Sequence, residues 1–255
     1  MFEHIEVQAE GRRGAIWLNR PAKLNPLGTQ TLRELAAAAR WLDAQPELAV
    51  VVVGGRGRAF SAGADLAGFP APDAPGAREA ADLGRAMADA LEAMRAVTVA
   101  RLQGWCVGGG LVLAAACDLR IADEDARFSI PEVDLGIPLA WGGIPRLLRE
   151  IGPALTRELV MTCREFGPQE ALAAGFLNRV VPARMLDAAV EELAGAVAAR
   201  PRLPVQATKR HVNAVTAQAI GLARSWNDAD SLLAGLLDAE CEAARRAYLT
   251  RRGDG

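Results

Sequence analysis

Two glycine-bearing turns hold the residues best suited to chemistry. Gly108, Gly109 and Gly110 stand consecutively between a β-rich run, Val97 to Leu102, and an apolar helix-like run, Leu111 to Cys117. Gly63 and Ala64 form the second turn, within Arg58-Ala59-Phe60-Ser61-Ala62-Gly63-Ala64-Asp65-Leu66. The first NH groups of a helix have no intrahelical acceptor and lie at the positive end of its dipole, and glycine lets a ligand approach the backbone closely. If the strands before the two turns end side by side, each turn can aim one NH at the same oxygen, forming an oxyanion hole. An enolate beside a thioester carbonyl is its natural occupant, and a partly desolvated general base near the α- or γ-carbon must complete the site. Taken alone, the glycines are equally compatible with tight packing of strand on helix.

Other chemistries find less support. Ser61 lies one glycine short of the G-x-S-x-G nucleophile elbow, with His211 far downstream, so a serine hydrolase is a near miss. No Walker A lysine follows a glycine loop, no GxGxxG opens the first helix and no HExxH occurs. Cys106, Cys117, Cys163 and Cys241 make no CxxC pair and only His4 and His211 could assist them, so neither a metal site nor a disulfide framework is expected. The formal net charge of −2, with Lys23 and Lys209 the only lysines, disfavours nucleic acid as a partner. The N-terminus has no apolar h-region, and the longest apolar run, Trp105 to Cys117, is too short for a bilayer, so the expectation is a cytoplasmic protein without a membrane role.

The elements that must position the turns follow from periodicity. Glu3 to Ala9 and Ala15 to Asn19 read as a hairpin, and Leu32, Leu35, Ala39 and Leu42 as one helical face. Leu48 to Val53 is a buried strand, which makes the order strand, helix, strand a right-handed crossover in a parallel sheet. Asp65 is a candidate N-cap, and Ala67 to Gly76, with three prolines, is a loop bordering the Ala64 turn. Ala77 to Ala96 is a helix with Leu83, Met87, Leu91 and Met94 on its core face, and Asp118 to Ala122 is a further strand. Phe128 to Gly136 reads as one helical turn opened by Pro131, and Gly142 to Ile151 and Pro168 to Ala174 as short helices, the second capped by Gly175. Val180-Val181 is a short strand. From Ala183 onward the pattern is helical, interrupted at Pro201 and Pro204.

Asn19-Arg20-Pro21-Ala22-Lys23-Leu24-Asn25, Phe60 to Leu66, Gly104 to Asp118 and Ile130-Pro131-Glu132-Val133, in this order and spacing, together resemble the crotonase superfamily, the enoyl-CoA hydratase/isomerase family. The resemblance implies an α/β fold, a spiral of ββα units over residues 1–200 with a CoA-thioester site. Residues 201–255 would be a helical C-terminal region for oligomerisation, as a homotrimer or dimer of trimers, and for a pocket lid. It further implies an acyl-CoA substrate of fatty acid metabolism, with no cofactor, CoA being part of the substrate. By the same resemblance the NH groups of Ala64 and Gly109 hold the thioester oxygen, while Lys23, Leu24, Ala62, Asp65 and Leu66 border the CoA moiety.

This chain also departs from the family pattern. Efficient hydratases carry a glutamate three residues after the middle glycine and a second after the later proline; here those positions hold Val112 and Glu132. Isomerisation needs one group to take a proton from one carbon and return it to another, so Glu132 acting as both base and acid makes Δ3–Δ2 enoyl-CoA isomerisation the leading expectation. Slow one-acid hydration, or acyl-CoA binding without turnover, are the alternatives. Asp134 is expected to face elsewhere. Ala140 replaces an aspartate found in dienoyl isomerases and dehalogenases, and Trp141 either narrows the acyl pocket or is core. Arg245, Arg246, Arg251 and Arg252 read as a solvated helix end, the alternative being a role in pairing with CoA phosphates across a subunit boundary.

Overall fold

The structure, a computed structural model, describes residues 2–65, 68–221, 225 and 227–253. Strands β1 (Ile5–Glu10) and β2 (Arg13–Leu18) pair antiparallel through a turn at Gly11 and Arg12, tighter than the five-residue loop expected because Glu10 and Arg13 still pair. Helix α1 (Thr29–Asp43) leads to β3 (Val50–Gly55), helix α2 (Ala77–Glu92) to β4 (Val97–Leu102), and helix α3 (Gly109–Ala115) to β6 (Leu119–Asp123). These strands, with β8 (Arg179–Val181), form one sheet in the order β1-β2-β3-β4-β6-β8, parallel from β2 onward. Along β3, Val51 and Val53 pack into the main core with α1, α2 and α3, while Val50 and Val52 face α6 (Leu186–Ala198) on the other side. That alternation is the two-residue period of a strand, and burial of both faces is why the run is continuously apolar.

Two three-residue strands, β5 (Trp105–Val107) and β7 (Arg127–Ser129), form a separate parallel pair. Both were unexpected: β5 lies in the stretch read as a glycine turn, and β7 occupies the start of the supposed helical turn. The helical turn itself begins at Pro131, whose carbonyl accepts from the NH of Leu135 at 3.0 Å, and ends at Gly136 with φ 66°. Helix α2 stops at Glu92 rather than Ala96. The helix expected to end at Ile151 does so, since Gly152 (φ 72°, ψ 171°) is not helical, and a second helical piece follows from Pro153, the two pieces together being α4 (Gly143–Thr162). Helix α5 (Pro168–Ala173) closes with Gly175 at φ 87°, as expected.

The C-terminal third comprises α6, α7 (Arg202–Ala219), α8 (Asp228–Leu237) and α9 (Ala239–Gly253). Pro204 does not interrupt α7, since it occupies the first turn, where no intrahelical donor is needed. Lys209 fastens α7 to the core: its buried ammonium donates to Asp118 Oδ2 at 2.7 Å and to the carbonyl of Ala96 at 2.9 Å. Arg246 and Arg251 are exposed, but Arg245 turns inward and donates to the carbonyl of Leu236 at the end of α8, so it is not part of a solvated helix end. The side chain of Arg252 lies outside the described residues. Among the described residues, no helix is long and apolar enough to cross a membrane.

Candidate active site

The strand ends that carry the two turns do lie side by side. The NH of Ser61 donates to the carbonyl of Trp105 at 3.0 Å, and the NH of Val107 returns a bond to Ser61 at 3.0 Å. Gly63, at φ 91°, approaches so closely that a β-carbon on it would stand 2.7 Å from the Val107 carbonyl and 3.7 Å from the Gly109 nitrogen. The NH groups around the first turn are used: Ala62 donates to Leu24, Gly63 to the Ser61 hydroxyl and Asp65 to Leu27. Ala64 NH and Gly109 NH have no acceptor among the described residues. Gly109 begins α3, so its NH is one of the helix's orphan donors.

Pairing of β5 with β7 delivers the carboxylate. The NH of Gly108 donates to the Ser129 carbonyl at 2.9 Å, which places the turn beginning at Pro131 directly beside the glycines. Glu132 is buried, and a β-carbon on Gly108 would stand only 2.3 Å from its Oε1. Its Oε2 is buried without a hydrogen-bond partner. Burial pushes the Glu132 carboxyl up to about 7, opposed only by its own backbone NH, with no neighbouring charge contributing. A carboxyl titrating near neutrality, desolvated and with one oxygen uncommitted, is suited to taking and returning a proton.

Ala64, Gly109, Glu132 and Trp141 meet around one cavity of about 210 Å³, together with Val112. Among the described residues lining it, Glu132 is the single ionisable side chain. Trp141 turns out to be both core and wall: it is buried and its indole covers Gly109. Lys23, Leu24, Ala62 and Asp65 are not in the lining. They lie at or near the surface beside Ala64, where Leu24 accepts from Ala62 NH at 2.8 Å and the Asp65 carboxylate meets Arg20 at 3.4 Å; residues 66 and 67, which Asp65 was expected to cap, lie outside the described residues. Leu66 lies outside the described residues.

The hydrolase alternative fails on geometry. Ser61 is fully buried and its hydroxyl donates to the Asn25 carbonyl at 2.8 Å, whereas His211 is exposed on α7. Asp134 is exposed, as expected. The far wall of the cavity is formed by Phe69 to Pro72, within the loop expected to border the Ala64 turn, and by Leu232, Leu233 and Leu236 of α8, none of which sequence reasoning had singled out. The leucine spacing on α8 was visible, but its partner was not.

A profile of the enoyl-CoA hydratase/isomerase family matches residues 13–252. The chain belongs to the enoyl-CoA hydratase/isomerase family. Within it, a crotonyl-CoA hydratase of Syntrophomonas wolfei is 34% identical over 213 residues, covering 83% of this chain and 82% of that protein. A probable enoyl-CoA hydratase of Rhizobium meliloti is 38% identical over 192 residues, covering 74% and 73%. Two solved structures of this family superpose over nearly the whole chain. One is an enoyl-CoA hydratase from Mycobacterium avium subsp. paratuberculosis, with TM-score 0.86, 25% identity and coverage of 95% and 98%. The other is a probable enoyl-CoA hydratase from Mycobacterium thermoresistibile, with TM-score 0.81, 32% identity and coverage of 91% and 96%. The crotonase-like α/β architecture expected from the four motifs is therefore the observed one.

Proposed function

We propose that this enoyl-CoA hydratase/isomerase family member moves a proton within an acyl-CoA thioester, and that its reaction is Δ3–Δ2 enoyl-CoA isomerisation. The observation that carries this reading is the solitary carboxylate: Glu132 faces the cavity with Oε2 unpartnered, while the position of a second acid is the buried, apolar Val112. Glu132 takes a proton from C2 of the 3-enoyl group as the C2–H electron pair flows to the thioester oxygen. That oxygen is held by the Ala64 and Gly109 NH groups. The dienolate then takes the proton back at C4 from Glu132, which moves the double bond to C2–C3 and regenerates the carboxylate. No water is consumed, and among the described residues no lining side chain except Glu132 could orient one. Lys23, Leu24, Ala62, Asp65 and Leu66 border the CoA in this reading. The enzyme works in the cytoplasm as a homotrimer or dimer of trimers, with the exposed Leu203, Val212 and Val215 of α7 as candidates for subunit contact.

The test is deuterium uptake from heavy water into saturated and unsaturated acyl-CoAs, followed by mass spectrometry, for wild type beside Glu132→Gln. Uptake by wild type that is lost in the variant supports enolate chemistry at Glu132. Absence of uptake into every thioester that binds would leave an acyl-CoA binding protein without this chemistry. Hydration through Glu132 alone is a second reading, favoured by relatives that carry the name hydratase. A 3-hydroxyacyl-CoA product formed faster than the shifted double bond would select it.

A further inference from the structure

Trp141 is held from every side. Its backbone adopts φ 62°, a left-handed conformation uncommon for a bulky residue, and Gly142 follows at φ 68°. The guanidinium of Arg146, fully buried, donates to the carbonyls of both residues at 3.2 Å and is itself paired with Asp89 and Glu92 of α2 at 2.8 Å. The NH of Gly142 donates to Asp228 Oδ2 at 2.7 Å, which ties this loop to the start of α8. The indole occupies the space left by two glycines: a β-carbon on Gly84 or on Gly109 would collide with it. Phe69 stacks on it with ring centroids 6.4 Å apart.

So fixed, the ring stands at Gly109, beside the first carbons of a thioester whose oxygen that residue holds. The rest of the cavity is hydrocarbon, from Pro70 and Pro72 to Leu232 and Leu236. A dry apolar cavity of about 150 Å³ takes a benzene molecule. By that scale the 210 Å³ found here takes an acyl group of about eight carbons. A polar group at its far end would be buried without a partner.

We propose that Trp141 is the specificity-determining residue, and that the cavity it closes selects a wholly hydrocarbon acyl group of medium length, about eight carbons. This rests on the thioester reading of the site. The test is calorimetric binding of butanoyl-, octanoyl-, dodecanoyl- and hexadecanoyl-CoA, with the ω-hydroxy and ω-carboxy derivatives of octanoyl-CoA alongside. Because each buried methylene adds affinity, octanoyl-CoA is expected to bind at least about tenfold more tightly than butanoyl-CoA, with no further gain at sixteen carbons. The ω-hydroxy derivative is expected to bind about 10²-fold more weakly, and the ω-carboxy derivative more weakly still. Trp141→Phe, or Leu236→Ala on the opposite wall if the first fails to fold, should move the preference toward dodecanoyl-CoA by about fivefold or more.

An affinity independent of chain length, tight binding of the ω-carboxy derivative, or variants with the wild-type length profile would each overturn the specificity proposal while leaving the thioester site standing. Failure of every acyl-CoA to bind would overturn both.

Discussion

The Glu132 carboxylate lies so close to Gly108 that a β-carbon on that residue would stand 2.3 Å from Oε1. Gly108 at φ 49° and ψ −114° is in a conformation that favours glycine, and it is also the residue whose NH fixes the strand leading to Glu132. Gly108→Ala should therefore displace the base, because the atom it meets is the end of a flexible side chain. We expect deuterium exchange to fall about 10²-fold or more, since misplacing a reacting group by about 1 Å costs that much. The strained backbone should lower stability by roughly 1–3 kcal/mol, measured by denaturant unfolding. Retained exchange would mean that the carboxylate works from another position.

The raised pKa of Glu132 has a definite sign. A carboxyl that titrates at about 4.5 unfolded and about 7 folded contributes stability that is present below the unfolded value and lost as the pH climbs through the folded one. Glu132→Gln should match wild type below about pH 4.5 and exceed it by roughly 3 kcal/mol at pH 8, because removing the charge removes its desolvation. Proton abstraction by wild type should rise with pH through about 7 as a single ionisation. A rate already at its plateau at pH 5 would sink the assignment of Glu132 as base.

Val112→Glu places a second carboxyl in the same cavity. Hydration of a 2-enoyl-CoA should appear or rise by about tenfold or more, as expected when a positioned acid or base is added. The like charge should push the Glu132 carboxyl higher, shifting the exchange profile toward alkaline pH. No gain in hydration would assign the barrier to cavity shape rather than to the missing acid.

Ala64 offers a control on the proposed oxyanion donors, since its NH has no acceptor among the described residues. Ala64→Pro should slow exchange by about 10²–10³-fold, whereas Ala64→Ser, which keeps the NH, should be mild. Equal effects would count against the donor role.

Lys209→Met removes the partner of Asp118 and leaves that carboxylate with Thr98, whose NH and hydroxyl donate at 2.7 and 3.0 Å. Breaking a largely buried pair in this way should cost about 3 kcal/mol. Denaturation midpoints of the variant and wild type check it, and an unchanged midpoint would show that α7 is held by packing alone.

The glycine turns were legible because backbone donors need only glycine, a preceding strand and a following helix, all of which leave marks in sequence. The four-valine run of β3 was legible for the same local reason, a short apolar strand buried on both faces. Strands β5 and β7 were not, because three residues are too few to establish a period, and it is their pairing that carries Glu132 to Gly108. The end of the first piece of α4 was legible in the dipeptide Gly152-Pro153, which reads as a terminus, whereas the second helical piece, up to Thr162, was not expected. Arg146 gave no sign of burial, since an arginine enters a core only when its partners Asp89 and Glu92 are brought from another helix. The leucines of α8 lie about a hundred residues along the chain from Glu132 and Trp141, and only the tertiary fold brings them to the same cavity.

A single loop, Pro131 to Trp141, carries both the carboxylate proposed to react at one end and the aromatic wall at the other. Turnover and substrate range are thereby linked in heredity: an insertion or deletion anywhere between Glu132 and Trp141 re-registers both at once. A lineage seeking new substrates without losing the reaction must change the opposite side, at Phe69 to Pro72 or along α8. Directed evolution of this scaffold should place its diversity there, where the cavity can be reshaped while Glu132 keeps its seat.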